Sequence, residues 1–328
     1  MLQVDSSSRH KKSRYSPQTS GTRRLLDGRE RLILRISLVL PWVGLLACLA
    51  ILPFNALRPG RFELWMLFVG YLLNVTGIEV GYHRLFAHRT FQTVTPVKAV
   101  LLILGSSVGV GPLFGWSAVH RRHHEFADQP EDFHSPKMEE KGVLGVLRGL
   151  WYAHMGWMWD ANIEMSEYRR VLDLIQDPVL FRLGRVQMYY SWIALGLALP
   201  AMLGAWVWGS WIGAFRGLLW GGILRILLVQ NLGFSINSIG HTFGWRTFKT
   251  EDESRDNPWI ALPTFGAGCQ TTPHAFPSSW RTHILWWQVD PAEWVIGGLA
   301  ALGLAWNLRA PSEPQIASKL NVRAHQLE

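Results

Sequence analysis

Residues 62–88 read FELWMLFVGYLLNVTGIEVGYHRLFAH, an apolar run that ends in two histidines. A helix that crosses a bilayer needs about twenty mostly apolar residues, because only a helix or a closed barrel satisfies its own backbone hydrogen bonds there. Residues 62–82 meet that length with Glu63 and Glu79 as their only charged side chains. We therefore expect a membrane-spanning helix that carries the two histidines just beyond its end.

Three further apolar runs have the length of a membrane span, which makes four in all. Residues 33–54 precede residues 62–82 across a short turn, and residues 186–207 precede residues 212–234 in the same way. This pattern predicts an all-α membrane protein whose four transmembrane helices form two hairpins. Arg225 lies inside the last run, so its side chain must face protein or water.

A fifth apolar run, residues 97–116, is interrupted by Gly105, Gly109, Gly111 and Pro112. Glycine and proline weaken a helix, so a continuous span is not expected here. The run also lies between two histidine clusters that should share one side of the membrane. We therefore expect an interfacial or re-entrant segment.

The composition excludes several classes of protein. Of the 328 residues, 48% are apolar and 17% are charged, which is too apolar for an ordinary cytosolic globule. The net charge of +8 would suit nucleic acid or an anionic membrane, but 18 tryptophans and several uncharged runs favour membrane lipid over nucleic acid. The two cysteines, Cys48 and Cys269, provide neither a disulfide framework nor a thiol redox centre.

Charge asymmetry predicts the orientation of the chain. Nine Lys and Arg residues, against three acidic residues, precede or begin the first span. Because cytoplasmic loops carry an excess of Lys and Arg, we expect both termini in the cytoplasm, with a cytoplasmic helical cap built from residues 83–185 and 235–310. The membrane domain, residues 29–310, should lie between a disordered basic tail, residues 1–28, and a flexible C-terminal tail, residues 311–328.

The histidines are clustered. Ten of the twelve lie within residues 83–283, most of them in short groups beside predicted ends of spans. His120, His123 and His124 stand at positions i, i+3 and i+4, so a helix places all three imidazoles on one face. Such a face can converge on a metal ion.

Two further pairs of residues can reach a common site only if the backbone between their members has a suitable conformation. His83 and His88 are five residues apart, roughly 140° around a regular helix, so they can meet only if the helix ends or distorts between them. Asn237 and His241 return to the i, i+4 spacing. Imidazole binds zinc, copper, iron and nickel, so the residue type alone does not name the metal.

Three segments carry a resemblance to a known family: GYHRLFAHR at 81–89, WSAVHRRHH with its tail ADQPEDFHSP at 116–136, and NSIGH at 237–241. They resemble the histidine boxes of the membrane acyl-CoA desaturases, and the similarity extends over about residues 35–308. The resemblance implies a four-span membrane fold with a cytoplasmic cap, nine histidines that hold two irons, and an asparagine, here Asn237, that reaches one iron through water. It also implies the use of dioxygen and two electrons to remove hydrogens from adjacent methylenes of a fatty acyl chain.

The last box departs from the family. Its pattern GEGWHNNHHAFP is replaced at residues 266–277 by GAGCQTTPHAFP, so Gln270 and Pro273 stand where two histidine ligands belong. A glutamine oxygen is a weak ligand and proline offers none. The resemblance therefore implies two irons or fewer, held by seven histidines: His83, His88, His120, His123, His124, His241 and His274.

Glu79 is a further polar residue of interest, because it lies four residues before His83 on the same helical face. It could replace a lost ligand, or it could pair with Arg84 or Arg89, since buried charges find partners. Two histidines outside the ligand pattern are expected to support the ligands or to pack in the cap: His134 and His154.

The resemblance implies a fatty acyl desaturase, an oxidoreductase that introduces a double bond into a long-chain acyl-CoA or other acyl thioester. Electrons would come from a separate cytochrome b5-like or ferredoxin-like carrier. Two alternatives stay open. Lost ligands usually cost metal affinity or activity, so the chain could be an impaired relative that binds acyl lipid or an active desaturase. The same ligands could also serve a hydroxylase.

Overall fold

The computed structural model describes residues 28–136, 142–159 and 168–321. The basic tail expected at residues 1–28 therefore lies outside the described residues, apart from Gly28. The helices are α1 Gly28–Ile51, α2 Arg61–Thr76, α3 Thr95–Ser106, α4 Leu113–Phe126, α5 Gly142–His154, α6 Leu172–Ile175, α7 Pro178–Leu183, α8 Val186–Trp208, α9 Trp211–Arg216, α10 Arg225–Ser238, α11 Pro258–Ala261, α12 Thr271–Ala275, α13 Pro291–Ala301 and α14 Glu313–Lys319. Two strands, β1 Gln92–Thr93 and β2 Ala305–Trp306, pair antiparallel.

Four helical segments are long and apolar enough to cross a membrane, as the sequence predicted: Leu34–Ile51, Asn55–Ala87, Val186–Trp208 and Trp211–His241. Large apolar side chains cover their outer surface. Leu46 is 66% exposed and Trp206 is 81% exposed, which is typical of a surface that lipid covers. The second and fourth segments continue past the predicted ends at residues 82 and 234, and so carry histidines on the same continuous helices.

Both longer segments contain a stretch of π-helix, Gly77–Ala87 in the second and Gly217–Leu224 in the fourth. The backbone there forms i→i+5 hydrogen bonds, which give a wider turn than the α-helix. Each stretch begins at a glycine in close contact with a neighbouring backbone. A Cβ on Gly77 would clash with Gly105, and one on Gly217 would clash with the carbonyl group of Pro200. Glycine therefore permits the helices to approach closely at these points.

Charged side chains within the spans have protein partners. Arg216 donates a hydrogen bond to Glu63 at 2.8 Å, and the indole of Trp208 donates to the same carboxylate at 2.7 Å. Arg225 is buried and donates to the carbonyl oxygen of Gly196 at 2.7 Å. The expectation that Arg225 faces protein is therefore met, and Glu63 joins the second span to the fourth.

Residues 97–116 form no helix of spanning length. The apolar helix α3 has 12 residues, and the chain then turns through Gly109 and Gly111 with φ angles of 72° and 126°. Glycine adopts these left-handed angles without the strain that a side chain would add. The turn leads directly into α4, which begins after Pro112 and carries the second histidine cluster.

The main buried apolar cluster of the described residues includes Tyr82, the neighbour in sequence of His83. It joins the π-helical stretch Gly77–Ala87 to α3, α4 and α13. Its most deeply buried members include Val80, Tyr82, Leu102, Leu113 and Ile296. The cluster fixes the elements that carry the first histidine groups relative to one another.

Part of the flexible tail expected at residues 311–328 is described, and it includes α14, which packs against the rest of the chain; residues 322–328 lie outside the described residues. Lys319 donates a hydrogen bond from Nζ to the carbonyl oxygen of Ala275 at 2.6 Å, and the backbone N–H of Lys249 donates to the carbonyl oxygen of Lys319 at 2.7 Å. Two apolar side chains of this segment, Ile316 and Leu320, pack against Phe248 and Phe276. Two apolar residues in an otherwise polar stretch are too weak a pattern to predict a packed helix from the sequence.

Candidate metal centre

The first group of imidazoles, His83, His88, His120 and His124, comes from the second span and α4. Their ligand atoms all lie within 4.8 Å of one another. Nε2 of His88 lies 2.9 Å from Nε2 of His120 and 3.1 Å from Nε2 of His124. Two nitrogens that each bind one ion at about 2.1 Å lie about 3 Å apart, so this spacing fits a shared metal ion.

The π-helical stretch is what joins His83 to His88. The backbone N–H of His88 donates to the carbonyl oxygen of His83 at 2.9 Å, an i→i+5 hydrogen bond. The wider turn reduces the offset that a regular helix imposes on residues five apart. The two rings consequently lie 4.7 Å apart, centroid to centroid. This is the distortion that the sequence required.

Three histidines of the first group are held neutral. Burial first, and the neighbouring imidazoles second, hold the pKa of His88, His120 and His124 well below the ordinary value of 6.5. A neutral imidazole keeps the lone pair that binds a metal. These three imidazoles can therefore bind a metal ion at neutral pH without first losing a proton.

The second group, His123, His241 and His274, comes from α4, the end of the fourth span and α12. Their ligand atoms also lie within 4.8 Å of one another. The Nε2 atoms of all three are buried, and none forms a hydrogen bond within the part of the chain that the structure describes. Buried polar atoms without partners are costly, so three of them close together fit a metal ion.

A carboxylate supports each ring of the second group from behind. Each Nδ1 donates a hydrogen bond to an aspartate: His123 to Asp132 at 2.9 Å, His241 to Asp128 at 3.0 Å, and His274 to Asp252 at 2.7 Å. Such a partner fixes the tautomer, so that Nε2 carries the lone pair, and raises the basicity of the ligand. The carboxylates were not predicted from the sequence.

The three aspartates are ionised. Burial alone would raise the pKa of Asp128, but the hydrogen bond and charge of its imidazole partner lower it to about 2. The same balance holds the pKa of Asp132 and of Asp252 below the usual range. Burial disfavours the charged form of an imidazole and lowers its pKa. For His123 the neighbouring Asp132 outweighs burial, so the pKa is raised. For His274 burial dominates, and the pKa falls to about 4.

The two groups adjoin each other. The rings of His124 and His274 lie 4.3 Å apart, and those of His120 and His123 lie 6.3 Å apart, centroid to centroid. All seven histidines named from the sequence are therefore brought into two neighbouring groups, one of four imidazoles and one of three.

Gln270 and Pro273, which occupy the positions of the missing histidines, are both buried. The amide nitrogen of Gln270 donates to the carbonyl oxygen of Ala267 at 2.9 Å. Pro273 lies against a small space that His83 and His88 also line. Neither position supplies an imidazole, and Pro273 lies beside the first group rather than the second.

Glu79 supports His83. Nδ1 of His83 lies 2.8 and 2.9 Å from the two oxygens of Glu79, and Arg84 donates to the same carboxylate at 3.1 Å. Of the two hypotheses, this arrangement favours the partnership with Arg84 over direct metal ligation. Arg89 pairs with Asp173 instead, at 3.5 Å.

The remaining predicted residues lie in different places. The ring of His134 lies 4.5 Å from that of His123, centroid to centroid, and burial lowers its pKa to about 3. His154 uses both ring nitrogens elsewhere, with Ser238 at 3.1 Å and Asn231 at 3.2 Å. Asn237 lines the cavity described next.

A cavity of about 250 Å³ borders the first imidazole group, of which His83 and His120 line its wall. Much of its wall is apolar, including Leu34, Val110, Phe114, Trp116, Met158 and Ile193. A few polar side chains converge on it: Glu79, His83, His120, His134, Asn237 and Gln270. An apolar cavity with a few convergent polar groups is typical of a small-molecule site. The cavity is suited to an apolar hydrocarbon chain that passes alongside the first imidazole group.

Comparison with known proteins gives a consistent result. A family model described as fatty acid desaturase matches residues 62–308. A hex-5-enoyl-[acyl-carrier protein] acetylenase of Moorena producens (strain JHB) is 41% identical over 283 residues, which cover 86% of this chain and 87% of that protein. The sn-1 stearoyl-lipid 9-desaturase of Synechocystis sp. is 31% identical over 84% of this chain and 80% of its own length. The icosanoyl-CoA 5-desaturase of Limnanthes douglasii is 33% identical over 76% of this chain and 66% of its own length.

Proposed function

This chain belongs to the fatty acid desaturase family of lipid-metabolic oxidoreductases, and on that basis we propose that it dehydrogenates an acyl thioester at histidine-held iron, using dioxygen. One observation carries the proposal. The first imidazole group lines an apolar cavity through His83 and His120 and adjoins the second group, so a methylene pair in the cavity would lie beside the first metal. Positioning of this kind is what an enzyme supplies when a cofactor carries the chemical step.

Iron fits the residues present. Imidazole nitrogen suits iron among other metals, and bound iron supplies the dioxygen activation that cleavage of an unactivated C–H bond requires. The first ion would be held by His83, His88, His120 and His124, and Asn237 would reach one of the two ions through water. The second would be held by His123, His241 and His274.

The chain itself orients these ligands. Carboxylates behind four of the imidazoles fix which ring nitrogen faces the metal. The indole of Trp116 stacks on His120 with centroids 4.8 Å apart and planes 9° from parallel. Because Trp116 also lines the cavity, it can hold that imidazole in place and contact the acyl chain.

The acyl carrier is proposed to be a thioester. The names of the relatives include an acyl carrier protein, a CoA and a lipid as carriers, and the relative with 41% identity is named for an acyl group bound to acyl carrier protein. That identity favours a second candidate reaction, the conversion of a double bond into a triple bond. Both reactions remove two hydrogens, and both need a separate electron carrier, such as a cytochrome b5-like or ferredoxin-like protein.

The membrane arrangement is part of the proposal. The charge bias before the first span supports cytoplasmic termini, and the spans then form two hairpins beneath a cytoplasmic cap. This arrangement brings the histidine groups to the face at which soluble electron carriers and thioester substrates are present.

Expression in a desaturase-deficient host tests the proposal. The purified protein is analysed for iron and then supplied with dioxygen, reduced ferredoxin, and acyl groups carried on acyl carrier protein or on CoA. We expect iron at both groups and an alkene or alkyne product by mass spectrometry. His120→Gln should abolish the product, and His154→Gln, a histidine already bonded elsewhere, should keep it.

Other outcomes identify the alternatives. Bound iron without any product indicates an impaired relative that binds acyl lipid or an active desaturase. An alcohol product indicates a hydroxylase. A product that persists in His120→Gln contradicts the proposed site.

A further inference from the structure

One supporting pair of the second imidazole group, His274 and Asp252, joins two short elements through a hydrogen bond of 2.7 Å. His274 lies in α12, which has five residues, and Asp252 lies in the irregular backbone of residues 249–255. Elements this short are not stable by themselves, so packing must fix their relative position. We infer that the C-terminal segment, residues 312–321, positions this pair, with Lys319 as its central contact. The inference rests on the proposed function, in which His274 would hold the second ion.

Lys319 holds the end of α12 that carries His274. The carbonyl groups in the last turn of a helix have no partner within the helix. The carbonyl oxygen of Ala275, the residue after His274, accepts a hydrogen bond from Nζ of Lys319 at 2.6 Å. The same ammonium group lies 5.3 Å from the ring centroid of Phe276, within the range of a cation–π contact. Lys319 therefore anchors the backbone directly beside the ligand.

The same segment holds the loop that carries Asp252. The backbone N–H of Lys249 donates to the carbonyl oxygen of Lys319 at 2.7 Å. The side-chain amide of Asn321 donates to the carbonyl oxygen of Arg246 at 3.0 Å. The guanidinium group of Arg246 in turn donates to the carbonyl oxygen of Asp252 at 2.6 Å. A series of hydrogen bonds therefore leads from the C-terminal segment to Asp252 itself.

Apolar contacts join these two attachments. Ile316 and Leu320 pack in one cluster with Phe248 and Phe276. The rings of Phe248 and Phe276 lie 5.2 Å apart, centroid to centroid. Phe248 precedes the loop of Asp252, and Phe276 follows α12, so the segment covers the place where the two elements meet. Apolar burial stabilises this contact without direction, whereas the hydrogen bonds fix its geometry.

The other end of α12 has an anchor of its own. The carboxylate of Asp256 accepts hydrogen bonds from the backbone N–H and the hydroxyl group of Thr271 at 2.8 and 2.7 Å. This anchor does not involve the C-terminal segment. A change at Lys319 should therefore loosen His274 without unfolding α12.

The rate at which each metal ion is lost to a chelator tests the inference, with folding checked by circular dichroism. Lys319→Met keeps a long side chain but removes the ammonium group. We expect it to speed the loss of one ion about 10-fold, the order usual for residues that support a ligand, and to leave the other ion unchanged. Lys319→Arg keeps a cationic donor and should retain the wild-type rate. The control is Lys98→Met, which removes a lysine bonded to Asp177 at 2.9 Å and should also match wild type.

A double-mutant cycle separates positioning from general destabilisation. Asp252→Asn removes the charge behind His274 directly. If the segment acts through this pair, Lys319→Met/Asp252→Asn should lose the ion no faster than Asp252→Asn alone, because the effects of coupled residues do not add. Additive effects, or a wild-type rate in Lys319→Met, make the inference wrong while the proposed function stands. If wild type holds no ion at the second group, both fail.

Discussion

The carboxylate of Glu79 lies 2.8 Å from Nδ1 of His83, and both side chains are buried. Arg84 donates to the same carboxylate and is itself held by Asp290 through hydrogen bonds of 2.7 and 2.9 Å. Asp290, Arg84 and Glu79 thus form a continuous series of ion pairs and hydrogen bonds that ends at His83. His83 is left with Nε2 as the nitrogen for a metal, which makes Glu79 a residue that positions a ligand.

Removal of the Glu79 charge should weaken the first metal site. We expect Glu79→Gln to lower metal affinity about 10- to 100-fold, the usual effect of losing a carboxylate behind a ligating imidazole. Competition with a chelator measures the affinity. The control is Glu63→Gln, which changes another buried glutamate of the second span, paired with Arg216. Equal metal loss in the two variants would show that the effect is general destabilisation.

The buried pair of Arg84 and Asp290 should matter for stability. Their side chains are 2% and 0% exposed, so removal of one partner leaves an uncompensated buried charge. We expect Asp290→Ala to cost about 3–5 kcal/mol in unfolding measured in mixed micelles. Arg89→Gln breaks a pair whose arginine is 62% exposed, and should cost at most about 1 kcal/mol. Similar losses in both variants would contradict this account.

The spans and the shared face of His120, His123 and His124 could be predicted because each depends on residues close in sequence. The convergence of His241 and His274 on this face was implied only by the resemblance to the desaturase family. Apolar runs of spanning length and the i, i+3, i+4 spacing of His120, His123 and His124 are local signals. The sequence predicted that the helix must end or distort if His83 and His88 are to meet. It did not predict a π-helical turn at this place, because that turn depends on glycines that pack against distant helices.

The supporting carboxylates could not be predicted in the same way. His241 and its partner Asp128 are 113 residues apart, so no spacing indicates the pair. Asp132 lies in the segment that directly follows His120, His123 and His124. This closeness in sequence was the only indication that an aspartate could reach His123. Asp252 lies in a stretch with no recognisable pattern, and only the fold brings it to His274.

The metal-free protein should lose stability as the pH falls from about 6.5 to about 4. Burial lowers the pKa of His274 from 6.5 to about 4, and the pKa of His88, His120 and His124 is also lowered. In this range the unfolded chain binds protons that the folded chain does not, so protons favour unfolding. The raised pKa values of His123 and Asp256 oppose this change, but burial also lowers the pKa of His134, so the lowered groups outnumber the raised ones.

Unfolding midpoints across this pH range measure the effect, with the metal removed by a chelator and the detergent constant. The iron-loaded protein should show a steeper fall, because protons also compete with the metal for imidazole. A midpoint that stays constant or rises on acidification would contradict the prediction.

The proposed orientation can be tested with single cysteines. Both native cysteines are buried, and burial raises the pKa of Cys269 well above 9.0, so neither should react. We expect an impermeant maleimide to label Trp211→Cys in intact cells, since Trp211 is 76% exposed at the start of α9. Ser312→Cys, on the opposite side in the proposed arrangement, should react only after permeabilisation. Labelling of Ser312→Cys in intact cells would reverse the orientation.

Restoration of the missing box should strengthen the second site. Gln270 is buried beside the cavity, and Pro273 lies in the first turn of α12, where a histidine N–H adds no conflict. We expect Gln270→His/Pro273→His to slow the loss of the second ion to a chelator by about 10-fold or more. If wild type forms product, the variant should keep the same product. If only the variant forms product, the natural chain is an impaired relative whose defect lies in these two residues. Loss of the second ion at the wild-type rate would show that His274 and its neighbours do not form the site proposed for it.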